Sequence, residues 1–189
     1  LRTREITGTP ELVYNNQSDE IKNTYSSESH TINNGVYALF NSTSQYLQSK
    51  PVRQALALSV NVSELRKLLS SETEEMNGPV LNNLLDEKVK PKGYNVKEAR
   101  GLLDAAGWKV VGGVRQKNNQ KLTLNIVAPK NENYEKIAKR LAEIWQKELN
   151  IATDVKIVDV NDVSQSILQN VLLPRNFDVL IYELAMGGD

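Results

Sequence analysis

The sequence predicts an α/β fold, a mixed or largely parallel sheet flanked by helices, and three observations lead there. From residue 134 to 149, Ile137, Leu141, Ile144, Trp145 and Leu149 recur at three- and four-residue steps, with Lys136, Lys139, Arg140, Glu143 and Lys147 on the other face, the pattern of an amphipathic helix. Two runs rich in β-branched and aromatic residues follow, 155–160 and 177–182, each of strand length. The resulting order of strand, helix, strand, helix, strand needs crossover connections, which parallel and mixed sheets use.

Residues 1–35 are rich in Asn, Ser, Thr and Glu and read as a polar linker or edge segment, so the folded lobe is assigned to residues 36–189. Val36-Tyr37-Ala38-Leu39-Phe40, between Gly35 and Asn41, reads as a buried strand that starts the core sheet. Pro51 suits the first turn of a helix ending near Val60, with Val52, Ala55, Leu56 and Leu58 on its apolar face. Asn61 with Glu64 has the spacing of a capping box for a second helix through Leu69, with Leu65, Leu68 and Leu69 inward. Asn95 with Glu98 repeats the device, and Ala99, Leu102, Leu103 and Ala106 form a buried stripe that Gly107 terminates. The segments 112–115 and 121–127 flank Asn118-Asn119, residues that tolerate the positive φ of tight turns, and predict a β-hairpin. After the strand at 155–160, Val163, Ile167 and Leu168 suggest a further helix.

Composition excludes several function classes. With 189 residues the chain can bury roughly 70% of its unfolded surface without metal or disulfide help. Its 23 Lys plus Arg balance 23 Asp plus Glu, so there is no net positive field for nucleic acid or an anionic membrane. Cysteine is absent, which removes thiolate metal sites, and no apolar run approaches the roughly 18 residues of a membrane span. The first residues, Leu1-Arg2-Thr3-Arg4, show neither an initiator Met nor a signal-peptide core, so the chain reads as a piece excised from a longer protein.

Catalytic chemistry finds little to use. His30 is the one histidine and lies in a polar segment; no phosphate-binding glycine loop occurs, since Gly112-Gly113 lacks the spacing and the following helix. Glu74-Glu75 and Asp86-Glu87 are adjacent pairs, which do not converge across a cleft as acid and base must. The expectation is a non-enzyme with no cofactor and no metal. In open sheets ligands meet the loops beyond the carboxyl ends of strands, and the stretch after Tyr182, Glu183 to Asp189, is such a loop, which makes Met186, Gly187, Gly188 and Asp189 candidate ligand-binding residues. Trp108 and Trp145 read as core residues, and Arg53 as a local ion-pair or solvated helix residue.

Four segments resemble a known family: Tyr37-Ala38-Leu39-Phe40-Asn41; the stretch from Lys50 to Asn61 containing Val52-Arg53-Gln54-Ala55-Leu56; the stretch from Tyr94 to Trp108 ending Leu102-Leu103-Asp104-Ala105-Ala106-Gly107-Trp108; and Phe177-Asp178 running to Gly187-Gly188-Asp189. In motif and order they resemble the bacterial extracellular solute-binding protein family 5, receptors of peptide and nickel ABC importers. The resemblance covers 36–189 well and the first 35 residues poorly. Asn61 departs from the Asp usual there, and Met186 from a common aromatic residue. The resemblance implies one lobe, the second, of a two-lobed clamp that closes on a small peptide or similar solute and delivers it to an ABC permease. It implies a monomer with no nucleic-acid partner, outside the cell or in the periplasm, anchored as a lipoprotein in the full-length protein. It also implies that Asp189 faces a peptide α-ammonium, with Gly187 and Gly188 allowing close backbone approach. A second reading is the solute-sensing domain of a transcription regulator; a helix-turn-helix upstream of Leu1 would favour it, a lipoprotein or Sec signal the receptor. A hydrolase is the third.

Overall fold

The computed structural model describes residues 18–24, 34–69, 73, 75, 76, 78, 93–162 and 166–185. Two sheets organise them. Strands β1 (Asn34–Phe40), β5 (Thr123–Pro129), β6 (Ala152–Val158) and β7 (Val179–Ala185) form one sheet in the order β1-β7-β5-β6. β5 runs parallel to both β6 and β7, whereas β1 is antiparallel to β7, so the sheet is mixed and mostly parallel, as the sequence predicts. The short strands β2 (Lys109–Val111), β3 (Val114–Lys117) and β4 (Gln120–Lys121) make an antiparallel meander.

Helices α2 (Lys50–Leu58), α4 (Val96–Ala105) and α5 (Glu132–Leu149) close the main core, which includes Leu56, Leu103, Leu124, Ile126, Leu141, Trp145 and Ile181. The other face of the sheet carries a smaller cluster of Val127, Val158, Val171 and Leu180. Val171 comes from a π-helical turn, Leu168–Leu172, where the sequence suggests an α-helix; Val163 lies outside the described residues. A short helix α1 (Asp19–Thr24) stands within the segment read as linker or edge.

The expected boundaries hold where the capping chemistry is realised. Asn95 Oδ1 accepts from the Glu98 amide at 3.0 Å, and Gly107, at φ 88°, follows the end of α4. Asn131 caps α5 through the amides of Asn133 and Tyr134, and Asn150 ends it in the left-handed region at φ 56°. α3 (Val62–Arg66) differs: Asn61 sits at its N-cap but makes no side-chain cap bond, and Glu64 pairs with Lys67 at 2.7 Å instead of closing a box. After Arg66 the bonding tightens to i→i−3, Leu68 N to Leu65 O and Leu69 N to Arg66 O, so the α-helix stops short of Leu69, although Leu65, Leu68 and Leu69 still pack against the core. Asn95→Ala is expected to cost about 1 kcal/mol in urea unfolding and Asn61→Ala less than about 0.5 kcal/mol; equal losses would contradict the distinction.

Two further expectations are corrected. β1 is an edge strand rather than a buried one, and none of its residues is fully buried; among the described residues only one side of it finds a partner strand. The hairpin at Asn118 (φ 52°) and Asn119 (φ 62°) forms, but Gly112 (φ 57°) and Gly113 (φ 83°) make a second tight turn instead of a strand, hence the meander. Leu122, fully buried, then hands the chain to the main sheet: its amide donates to Arg115 O at 2.8 Å and its carbonyl accepts from Ala152 N at 3.0 Å.

Candidate functional site

The three mutually parallel strands point their carboxyl ends, Pro129, Val158 and Ala185, toward one edge of the sheet, the edge where such folds hold ligands. β7 reaches it by extending past its pairing with β5 and continuing against β1 as far as Asn34↔Ala185. Glu183, Leu184 and Ala185 are thus strand residues, not the loop that the sequence suggests; Met186, Gly187, Gly188 and Asp189 lie outside the described residues.

Because side chains alternate along a strand, Val179, Ile181 and Glu183 share the face that α5 covers. The first two are fully buried and Glu183 is half-buried, a carboxylate placed where the apolar series would continue. Both of its oxygens are held: Asn34 Nδ2 donates to Oε1 and the Tyr134 hydroxyl, in the first turn of α5, donates to Oε2. Burial, followed by the hydrogen bond to Glu183, pushes the Tyr134 phenol well above its ordinary value, so it remains a donor. Asn34 Oδ1 is buried without a hydrogen-bond partner among the described residues. This node was not singled out from the sequence; a charged residue at the next alternate position after Val179 and Ile181 is the signal that would have found it.

On the same edge an open depression of about 410 Å³ is lined by Lys130, Asn131, Glu132, Glu135, Lys136 and Lys139. Its cations are already matched, Lys130 with Asp159 at 2.7 Å, Lys136 with Glu132 at 2.6 Å and Lys139 with Glu135 at 3.2 Å, so it holds no surplus charge for a ligand. Lys130 and Asp159 shift each other in the expected senses, the ammonium up and the carboxyl down.

The opposite edge is built for cohesion. Asp178, of the Phe177-Asp178 pair, accepts from Asn125 N at 2.8 Å through its carboxylate, donates its own amide to Asn125 O, and accepts from Asn41 N. Asn41 adds side-chain donation to Phe177 O at 2.9 Å, so these residues clasp β1, β5 and β7 together. Arg53 donates to the carbonyls of Leu47 and Gln48 and, among the described residues, pairs with no carboxylate. Trp108 is 8% exposed and meets Tyr46 edge to face at 5.7 Å, a packing role. Glu75 accepts from Ser63 Oγ at 3.1 Å; His30, Glu74, Asp86 and Glu87 lie outside the described residues. Among the described residues there is no group of three or more His, Cys, Asp and Glu that could hold a metal ion, and no helix long and apolar enough to cross a membrane.

The family model described as bacterial extracellular solute-binding proteins, family 5 Middle, matches residues 2–187. No curated protein matches. The fold is similar to that of the oligopeptide-binding protein AppA from Bacillus subtilis in complex with a nonapeptide, at TM-score 0.70 and 24% identity over 84% of this chain and 32% of that one. It is also similar to the ABC transporter substrate-binding protein CtaP from Listeria monocytogenes, TM-score 0.68 and 22% identity over 85% and 31%. NikZ from Campylobacter jejuni in complex with Ni(L-His) gives TM-score 0.66 and 22% identity over 83% and 32%. The chain spans about a third of the length of these structures, and likeness at such identity is likeness of fold.

Proposed function

The chain belongs to the bacterial extracellular solute-binding proteins, family 5, and from that membership we propose that it is a non-catalytic ligand-binding lobe of a receptor that captures peptides or similar small solutes and delivers them to an ABC importer. The single observation that carries this reading is the extent of the family match, residues 2–187. The receptor works outside the cell or in the periplasm, held to the membrane as a lipoprotein, as a monomer that takes no nucleic acid. Solute meets the carboxyl edge of β5, β6 and β7, with Asp189 taking the α-ammonium of a peptide and Met186, Gly187 and Gly188 lining the approach. An ammonium stripped of water needs a carboxylate within hydrogen-bond reach, or its desolvation is uncompensated. Neither the family nor the similar structures support the transcription-regulator reading.

Calorimetry of the intact protein against peptides and nickel–histidine chelates tests the proposal. Saturable peptide binding without hydrolysis is expected, and Asp189→Asn is expected to weaken peptides with a free amino terminus by about tenfold or more while sparing N-acetylated ones. If the intact receptor binds at about 1 μM, about −8 kcal/mol, and its lobes share that equally, this lobe alone binds near 1 mM. Micromolar binding by the lobe alone would contradict the division, and peptide cleavage would replace the receptor by a hydrolase.

A further inference from the structure

Glu183 is a half-buried carboxylate with no counter-charge among the described residues. Its two hydrogen bonds come from the neutral amide of Asn34 and the neutral phenol of Tyr134. Among the described residues no Lys or Arg pairs with it, although seven other ion pairs form. Taking a carboxylate partly out of water without a cation is costly, so its retention at the ligand edge calls for a partner beyond the described residues. Beside it, the buried Asn34 Oδ1 has no donor among the described residues. The amide cannot gain by turning over, since its oxygen would then face the carboxylate and its donors would leave it. Carboxylate and amide oxygen together lack one thing, a donor that carries positive charge.

The surface next to this node has the complementary shape. In the β1–β7 pair Val36 lies opposite Glu183 and Ala38 opposite Ile181, so all four share a face. Ile181 is fully buried, but Val36 is 37% exposed and Ala38 is exposed as well. The two exposed residues make an apolar strip about 7 Å long leading to the carboxylate. A long aliphatic stem ending in a cation can cover such a strip while its head stays hydrogen-bonded.

We infer that Glu183 and Asn34 Oδ1 form a subsite for a basic side chain of the bound solute, with the charged head on Glu183 and the apolar stem along Val36 and Ala38. The inference rests on the solute-binding reading above and narrows its solute to peptides that contain lysine or arginine. Tyr134 and Asn34 are positioning residues, which fix both carboxylate oxygens so that little side-chain freedom is lost when the cation arrives.

The test uses the intact protein and tripeptides of alanine carrying lysine at the first, second or third position, each compared with its norleucine counterpart, which has the same stem and no charge. At one position the wild type is expected to bind the lysine peptide about tenfold more tightly. Glu183→Gln is expected to abolish that preference, and a urea-unfolding transition with the wild-type dependence on denaturant shows that the variant folds. Should that variant not fold, Glu183→Asp, which keeps the charge but withdraws it by a methylene, is expected to reduce the preference at least threefold. A wild type that binds both peptide series equally overturns the subsite alone, as does a variant that weakens both equally. A wild type that binds no peptide of either series overturns the subsite together with the peptide reading of the lobe.

Discussion

Arg115→Ala is expected to lower the unfolding free energy by about 3 kcal/mol, and the melting temperature by about 6–12 °C for a chain of this size. Arg115 is 2% exposed, one of two buried polar or charged side chains among the described residues. Its Nε donates to Leu149 O at 2.8 Å; one terminal nitrogen donates to Asp104 Oδ1 at 2.6 Å and to Trp108 O, and the other reaches Arg100 O at 3.5 Å. The guanidinium therefore gathers the carboxyl ends of α4 and α5, where unpaired carbonyls accumulate and the helix dipole favours a cation. Its backbone completes the junction, with Arg115 N donating to Asn150 O at 2.8 Å. Removing the side chain strands several buried carbonyls at once, and an unsatisfied buried acceptor costs about 1–3 kcal/mol.

Two comparisons separate the carbonyls from the ion pair. Arg115→Lys keeps the charge but concentrates its donors at one point, so it is expected to recover less than half of the loss. Asp104→Ala is expected to cost under about 1 kcal/mol, because the Asp104 side chain is 48% exposed and water can take over its role. The hydrogen bond from Arg115 holds the Asp104 carboxyl below its usual 3.8. A carboxyl lowered on folding contributes stability that is complete above the unfolded value and is lost as pH falls through the folded one. The Asp104 contribution thus fades only below about pH 4. Urea unfolding at neutral pH, with an unchanged dependence on denaturant, measures all three variants. An Asp104→Ala loss as large as that of Arg115→Ala would assign the effect to the ion pair instead.

Sequence legibility follows how local each determinant is. The stripe from Ile137 to Leu149 and the cap at Asn95 are properties of neighbouring residues, and both appear where periodicity and capping place them. The burial of β1 was not legible, because residues 36–40 read alike in an edge and a central strand and only the pairing partner decides. Asn61 has the right residue and spacing for a cap, yet Glu64 finds Lys67, a choice between two local hydrogen bonds that the pattern cannot rank. Arg115 stands in a short strand that looks solvated, and its partners come from residues 100–108 and 149, separations at which no spacing rule operates. The candidate edge was legible from strand order, whereas the Glu183 node depends on β7 running on past Tyr182, which pairing with β1 sets.

Trp145→Ala is expected to be the most damaging single change in the core, at about 3–5 kcal/mol. Trp145 is 1% exposed and meets Phe40 of β1 with ring centroids 6.4 Å apart, while its indole N–H donates to Leu56 O at 3.2 Å in α2. One side chain on α5 therefore touches the edge strand that pairs with β7 and the helix that carries the Val52-Arg53-Gln54-Ala55-Leu56 segment. Trp145→Phe keeps most of the ring volume and removes only one of two donors to the Leu56 carbonyl, since the Ser59 hydroxyl still donates to it at 2.8 Å, so its expected cost is about 1 kcal/mol. The two variants also differ in reach. A cavity under Phe40 loosens β1, whose Asn34 supports Glu183, so Trp145→Ala is expected to raise hydrogen exchange at the amides of residues 34–40 more than at those of 109–117. Exchange rising equally in both segments would mean that Trp145 supports the whole lobe evenly and has no particular hold on the strand beside the ligand edge.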